Sequence, residues 1–196
     1  MRVLVACEYG GRVRDAFIDR GHDATSCDLL PTDAPGPHYE GDVFDIIDEG
    51  WDLLVAFPPC TYLCSSGLHW NKRRPERAAK TEEALVFVQA LLAAPVPRIA
   101  LENPIGCIST RVRKPDQIVH PWMFGDDASK ATCLWLKGLP LLTPTGSVAP
   151  RIVDGRKRWA NQTDSGQNRL PPSEDRWKLR SLTYPGLAAA MSQQWG

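Results

Sequence analysis

The chain has 196 residues, 43% of them hydrophobic, with 23 basic and 23 acidic side chains and a formal net charge of zero. That length suits one domain with a real core, and the apolar fraction excludes a disordered chain. No apolar run approaches the roughly 18 residues that span a bilayer, and Met1-Arg2-Val3-Leu4-Val5-Ala6 meets Glu8 too soon for a signal peptide, so a cytoplasmic protein is expected.

Taken in chain order, Arg2 to Ala6 reads as a short buried strand running into a turn at Gly10-Gly11. A helix follows from Val13 to Arg20, with Val13, Ala16 and Phe17 at helical spacing and Gly21 as its stop. His22 to Asp28 is a second strand, Pro31 to Gly41 a loop, and Val43 to Ile47 a short helical turn. Trp51 to Phe57 is an apolar strand that ends in Pro58-Pro59-Cys60. Pro75 suits the first turn of a helix, and Glu76 to Ala93 carries an apolar stripe through Ala84, Leu85, Val88, Leu91 and Leu92. Arg98 to Glu102 and Thr132 to Leu136 are further strands, and Leu182 to Gln194 is a terminal helix broken early by Pro185-Gly186. Between them, 143–181 is rich in Pro, Gly, Ser, Asn and Arg and reads as an irregular basic insertion packed on a single domain, 1–196.

Strands alternating with helices predict an α/β fold: a mostly parallel, Rossmann-like sheet with helices on both faces. Ligands of such sheets bind beyond the C-terminal strand ends. Those ends carry Cys7-Glu8, Asp28, Pro58-Pro59-Cys60 and Glu102-Asn103-Pro104.

None of the six cysteines (7, 27, 60, 64, 107 and 133) forms a C-x-x-C pair, so no metal site is expected; small buried hydrophobes plus one reactive thiol is the better account. Charge is split along the chain. Residues 1–60 hold twelve acids against four bases, and 151–180 eight bases against four acids. Further basic groups stand at Lys72-Arg73-Arg74 and Arg111-Val112-Arg113-Lys114. The split fits a protein that holds a small cofactor with one half and a polyanion with the other.

A cysteine behind two prolines has restricted backbone freedom. Thiolates add well to electron-poor double bonds, and attack on C6 of a pyrimidine makes C5 nucleophilic if an acid stabilises the ring nitrogen. Cys60 is the candidate nucleophile and Glu102 the candidate acid, with Asn103 and Pro104 fixing the direction of its carboxyl.

Pro58-Pro59-Cys60-Thr61-Tyr62-Leu63-Cys64-Ser65-Ser66-Gly67 resembles the Pro-Pro-Cys-Gln-x-Phe-Ser-x-x-Gly stretch of the DNA cytosine-C5 methyltransferase family. Glu102-Asn103-Pro104 resembles that family's Glu-Asn-Val, Gly10-Gly11 its cofactor loop, and Pro185 to Met191 its closing motif. The resemblance covers most of 1–140 and the last fifteen residues. It implies a methyltransferase sheet, S-adenosylmethionine as methyl donor, and DNA as partner through 72–77, 111–114 and 151–180. It assigns catalysis to Cys60, Glu102 and Asn103. Cofactor contacts fall to Cys7, Glu8, Gly10, Gly11, Asp28 (ribose hydroxyls), Asp42 (adenine amino group) and Pro58. Substrate contacts fall to Pro59, Cys64, Ser65, Gly67 and Lys130.

The chain departs from the family at four places. Glu8 stands where the cofactor loop usually has glycine, Thr61 replaces glutamine and Cys64 a common serine. The family's Gln-x-Arg-x-Arg strand is Ser129-Lys130-Ala131-Thr132-Cys133 here, with Lys130 the substitute for its arginine. The large target-recognition domain is absent, as in compact phage-encoded chains. Two other readings therefore stand beside cytosine in DNA: the same chemistry on RNA, single-stranded DNA or a free nucleotide, and a catalytically silent relative that binds nucleic acid or protein. Trp159 and Trp177 are candidates for base stacking, and Ser65 to Arg77, with His69 and Trp70, for a loop that closes over an extruded base.

Overall fold

The structure, a computed structural model, describes every residue from Met1 to Gly196. Seven strands form one sheet: β1 (Arg2–Ala6), β2 (Asp23–Asp28), β3 (His38–Glu40), β4 (Leu53–Ala56), β5 (Arg98–Pro104), β6 (Gln117–Val119) and β7 (Thr132–Lys137). Their order is β3-β2-β1-β4-β5-β7-β6. The first five run parallel, and β7 is antiparallel to both neighbours, β5 and β6. This is the Rossmann-like, mostly parallel sheet that the alternation of elements predicts.

The inner strands are apolar along their whole length because both sheet faces are covered. On one face Leu4, Ala6, Leu54, Ala56, Ile99 and Leu101 meet Leu85, Val88 and Leu91 of helix α3 (Pro75–Leu92). On the other, Val3, Val5, Leu53, Val55 and Ala100 meet Val13 and Phe17 of α1 (Arg12–Ile18), together with Leu187, Met191 and Trp195 of α6 (Pro185–Trp195). Each valine, leucine, isoleucine, phenylalanine or methionine among them contributes about 1.5–3 kcal/mol on full burial. The two short helices α2 (Ser65–Leu68) and α4 (Ile108–Arg111) follow β4 and β5, and α5 (Arg176–Ser181) precedes α6.

Three expectations need correction. Pro31 to Gly41 is not all loop: His38–Glu40 pairs in register with Ser26–Asp28 as an edge strand too short to show a period. The terminal helix is not broken by Pro185 but begins there, since a first-turn proline lacks only an N–H that the helix leaves unbonded anyway. Residues 143–181 contain ordered pieces, a hairpin of β8 (Arg151–Val153) and β9 (Arg156–Arg158) and helix α5. Its two-residue turn, Asp154-Gly155, has both residues at positive φ, as a right-twisted hairpin favours. No helix is long and apolar enough to cross a membrane.

Candidate active site

The four predicted strand ends do share one sheet edge, because β1, β2, β4 and β5 are all parallel. Beyond β4, Pro58 is buried, Pro59 exposed and Cys60 half-buried. The chain then turns sharply: the Leu63 and Cys64 N–H groups both donate to the Cys60 carbonyl at 3.0 Å. This turn is bolted to the loop after β5. Ser65 N donates to Ile105 O at 3.0 Å, Cys107 N donates to Leu63 O at 2.9 Å, and Cys64 and Gly106 form a β-bridge. Gly106 allows that approach, since a Cβ there would overlap the Leu63 carbonyl oxygen and stand 2.8 Å from the Cys64 Cα. Asn103, almost fully buried, completes the brace: its Nδ2 donates to the Pro58 carbonyl at 2.7 Å, and its Oδ1 is a buried acceptor with no partner.

Glu102, Lys130 and Cys64 lie near enough to Cys60 for their charges to be felt at its thiol. Burial pushes the Cys60 pKa up; Cys64 and Glu102 push the same way, while the positive charge of Lys130 opposes them. The Glu102 carboxylate accepts from the Thr132 hydroxyl at the start of β7, which fixes one oxygen. Cys64 Sγ lies 2.9 Å from Ser66 Oγ. Ser65 and Gly67 belong to α2, on the same loop, and Gly67 O accepts from Arg77 Nε at 3.3 Å. The structure thus brings together Pro58, Pro59, Cys60, Cys64, Glu102, Asn103 and Lys130.

The cofactor candidates lie along the neighbouring ends. Burial, and then the nearby charges of Asp28, Cys27 and Asp42, push the Cys7 thiol far above the ordinary range, which places Cys7 beside both carboxylates. Asp28 Oδ1 accepts from Leu30 N at 3.0 Å, and burial raises its pKa against that bond. Asp42 caps a single 3-10 turn, Val43–Asp45, by accepting from Phe44 N at 3.0 Å. Gly11 takes φ +67°, which a glycine adopts at no steric cost.

Glu8 proves to have structural work of its own. Its carboxylate is buried and accepts from Val13 N at 2.7 Å and Arg14 N at 3.1 Å, satisfying two of the unbonded donors at the start of α1. Burial raises its pKa while these N–H groups hold it down. The adjoining cleft, lined by Cys7, Glu8, Tyr9, Gly10, Phe57 and residues 181–183, has a volume of about 20 Å³. Leu182 fills it: its Cδ2 lies 2.6 Å from where a Gly10 Cβ would stand. Tyr9 Oη and Ser181 Oγ are 3.2 Å apart, and Arg12 donates to the Thr183 carbonyl, so 181–183 lies as a strap across the glycine loop.

Several basic candidates are committed within the protein. Arg77 donates to Thr61 O at 2.6 Å and lies over the Tyr62 ring. Arg111 pairs with Glu82 at 2.9 Å, Arg113 with Asp116 at 2.7 Å, and Arg151 with Asp164. Lys72, Arg73 and Lys114 are exposed and outside every ion pair. Arg74 stacks over Trp70 at 5.2 Å, whose other neighbour is His69. Trp159 is buried, stacked on Trp122 and donating to Val148 O at 3.1 Å, so it cannot stack on a base. Trp177 is 53% exposed and packs against Tyr9.

Sequence reasoning missed Arg14, Tyr9, Phe57 and Leu29. Arg14 is wholly buried, donating to Asp15 at 2.8 Å, Ser26 Oγ at 3.2 Å and the Pro35 carbonyl at 3.0 Å; it ties α1 to β2 and the loop beyond. An arginine among helix residues gives no sign of this. Leu29, 75% exposed directly after Asp28, is an apolar surface that alternation could have flagged.

No protein-family model matches the sequence, and no curated protein matches it. Solved structures are similar to this chain, among them the following two. One is an E. coli chain provisionally described as a DNA modification methyltransferase encoded within a prophage (14% identity, 79% of this chain and 53% of that one, TM-score 0.46). The other is the 16S rRNA methylase RmtB (16% identity, 69% of this chain and 55% of that one, TM-score 0.35). The chain spans about half the length of each.

Proposed function

We propose that the protein is an S-adenosylmethionine-dependent methyltransferase that acts on C5 of cytosine in DNA, with Cys60 as nucleophile. The observation that carries this reading is the meeting of Cys60, Glu102 and Lys130 at the ends of adjacent strands on a doubly braced loop. Attack by the Cys60 thiolate on C6 forms the C–S bond and moves the ring's electrons toward N3 and C5. Glu102 donates a proton or hydrogen bond at N3, and Thr132 keeps its carboxyl turned to that task. Lys130 stabilises the thiolate before attack and the ring oxygen after it.

Residues at the neighbouring ends fit the proposed methyl donor. Asp28 suits a ribose diol, Leu29 an adenine face and Asp42 an adenine amino group, while Gly10 and Gly11 allow close approach to their backbone. S-adenosylmethionine, when bound, would supply an electrophilic methyl group for C5; Glu102 then takes back the N3 proton, and loss of the C5 proton to water re-forms the C5–C6 double bond as the C–S bond breaks with its electrons on Cys60. The fit requires Leu182 to leave the glycine-loop cleft, since about 20 Å³ holds no more than a water.

That filled cleft is also the one observation favouring a silent binding relative. The slight insertion, a hairpin and a six-residue helix, favours RNA, single strands or free dCMP over long duplex sites. One experiment separates all of these. Labelled S-adenosylmethionine is offered with duplex DNA, single-stranded DNA, RNA and dCMP in turn, using wild type and Cys60→Ser. Transfer to DNA, duplex or single-stranded, that vanishes in Cys60→Ser is expected. Transfer to another arm alone reassigns the substrate. No cofactor binding by calorimetry, with nucleic-acid binding retained, sinks the enzyme reading.

A further inference from the structure

A second concavity, of about 400 Å³, opens between α1, α5, the first turn of α6 and the loop at 160–170. Its size is within the range of small-ligand sites, and no residue of the Cys60 or Glu102 loops lines it. Its polar lining is made of donors. Arg12 gives one N–H group to the Thr183 carbonyl, and its remaining guanidinium donors are uncommitted. Arg169 is exposed, forms no ion pair, and is fixed at the rim only through its backbone N–H, which donates to Asn161 O at 2.9 Å. The Oδ1 of Asn168 accepts from Leu170 N at 2.9 Å, which leaves its amide N–H groups free. The Tyr184 hydroxyl accepts from Asn161 Nδ2 at 3.4 Å, which leaves its proton free. Three acids beside the lining are engaged elsewhere: Asp164 with Arg151, Asp126 with Gly186 N at 3.0 Å, and Asp127 with Ala160 N at 2.9 Å. Leu179 and Leu182 form an apolar wall beside these groups.

Two cations, an amide and a hydroxyl that all present hydrogens, next to leucines, call for an acceptor-rich anion with a flat or apolar body. We infer that this cavity binds a nucleoside phosphate, with Arg12 and Arg169 on the phosphate and the base against Leu179. Arginine pairs suit phosphate because the guanidinium fork meets two oxygens at once. The nucleotide could be a free molecule or one residue of a strand whose target base lies at Cys60, and the chemistry of the lining is the same for both. The cavity shares Leu182 with the glycine-loop cleft but takes no residue from the Cys60 loop, so its occupancy can be read without turnover.

The test uses the full chain without cofactor, and follows the anisotropy of a fluorescein-labelled twelve-nucleotide single strand against salt. Variants are Arg169→Gln, which removes one cation from an exposed position; Asn168→Asp, which puts an acid among the donors; and Leu179→Trp, which fills the space. Each should weaken binding roughly tenfold, and Arg169→Gln should lower the slope of log K against log salt by about one. Unlabelled dCMP that displaces the strand, where cytidine does not, identifies a free-nucleotide site. Failure of dCMP with the variant losses intact identifies a strand residue. Binding within twofold of wild type in all three variants overturns the inference, and so does displacement by S-adenosylmethionine, which would assign the cavity to the cofactor. Because no turnover is read, the result is independent of whether methyl transfer occurs.

Discussion

The loop after β4 and the loop after β1 leave neighbouring parallel strands at the same sheet edge, yet they are held in different ways. The Cys60 loop is locked from both sides by main-chain bonds to the loop after β5, with Asn103 clamping Pro58. The Gly10-Gly11 loop is anchored beneath, where the Glu8 carboxylate holds the start of α1, and at Tyr9, whose carbonyl accepts from Thr32 Oγ1 at 2.7 Å, but it has no such tie to the loop of a neighbouring catalytic candidate. Its outer side is closed by the 181–183 strap through side chains and one carbonyl. The contrast fits the division of labour proposed above. A nucleophile works from a fixed backbone, whereas a cleft that admits a cofactor needs one wall that can move.

Substitutions on the two loops should therefore separate chemistry from cofactor access. The largest effect is expected at Glu102→Gln, which keeps an acceptor for Thr132 but cannot donate the proton. Methyl transfer should fall by roughly 10²–10⁴-fold in single-turnover assays, with the melting temperature unchanged. Transfer that survives would remove the acid from the mechanism. Gly106→Ala comes next, because its Cβ would force the loops after β4 and β5 apart. A loss of about 1–3 kcal/mol in denaturant unfolding should accompany slower transfer with unaltered cofactor affinity.

On the other loop, Glu8→Ala strands the Val13 and Arg14 N–H groups and should cost about 1–2 kcal/mol. Its pH dependence has a defined sign. Burial raises the folded Glu8 pKa, so the contribution of its proton to stability is complete below the unfolded carboxyl range and is lost as pH rises through the folded value. Glu8→Gln should flatten that part of the stability curve; an unchanged curve would place the titration elsewhere. The smallest effect is expected at Leu182→Ala. It should tighten S-adenosylmethionine several-fold by calorimetry and leave the Cys60 loop untouched, whereas weaker binding would show that the strap supports the cofactor rather than excluding it.

Most of the framework is legible in the sequence because buried parallel strands are continuous apolar runs with chemical residues at their ends. Val3 to Ala6 and Leu53 to Ala56 announce themselves, and Pro58-Pro59-Cys60 with Glu102-Asn103 mark two ends that the parallel order must bring together. What stayed hidden depends on contacts distant in sequence. Nothing local in Gly106 speaks of Leu63, nor in Arg14 of Pro35, and a three-residue edge strand such as His38–Glu40 has no period to read. Glu8 was read by resemblance as part of the cofactor loop, although its position five residues before Val13 lets it cap α1 from within the fold. The basic segments were legible only as charge, since composition does not show the partners that Arg77, Arg111, Arg113 and Arg151 hold.

The central claim is that Cys60 attacks a pyrimidine ring, and trapping tests it most directly. The protein is incubated with S-adenosylmethionine and an oligonucleotide carrying 5-fluorocytosine, whose fluorine cannot leave as a proton does, and the adduct is digested and sequenced by mass spectrometry. Since burial raises the Cys60 pKa, adduct formation should climb by about tenfold per pH unit from neutrality toward the alkaline range. An adduct on the peptide that contains Cys60, with fragmentation placing it on that residue and not on Cys64, is the predicted result. An adduct on Cys64, or none with any cytosine substrate that the protein binds, would contradict the account.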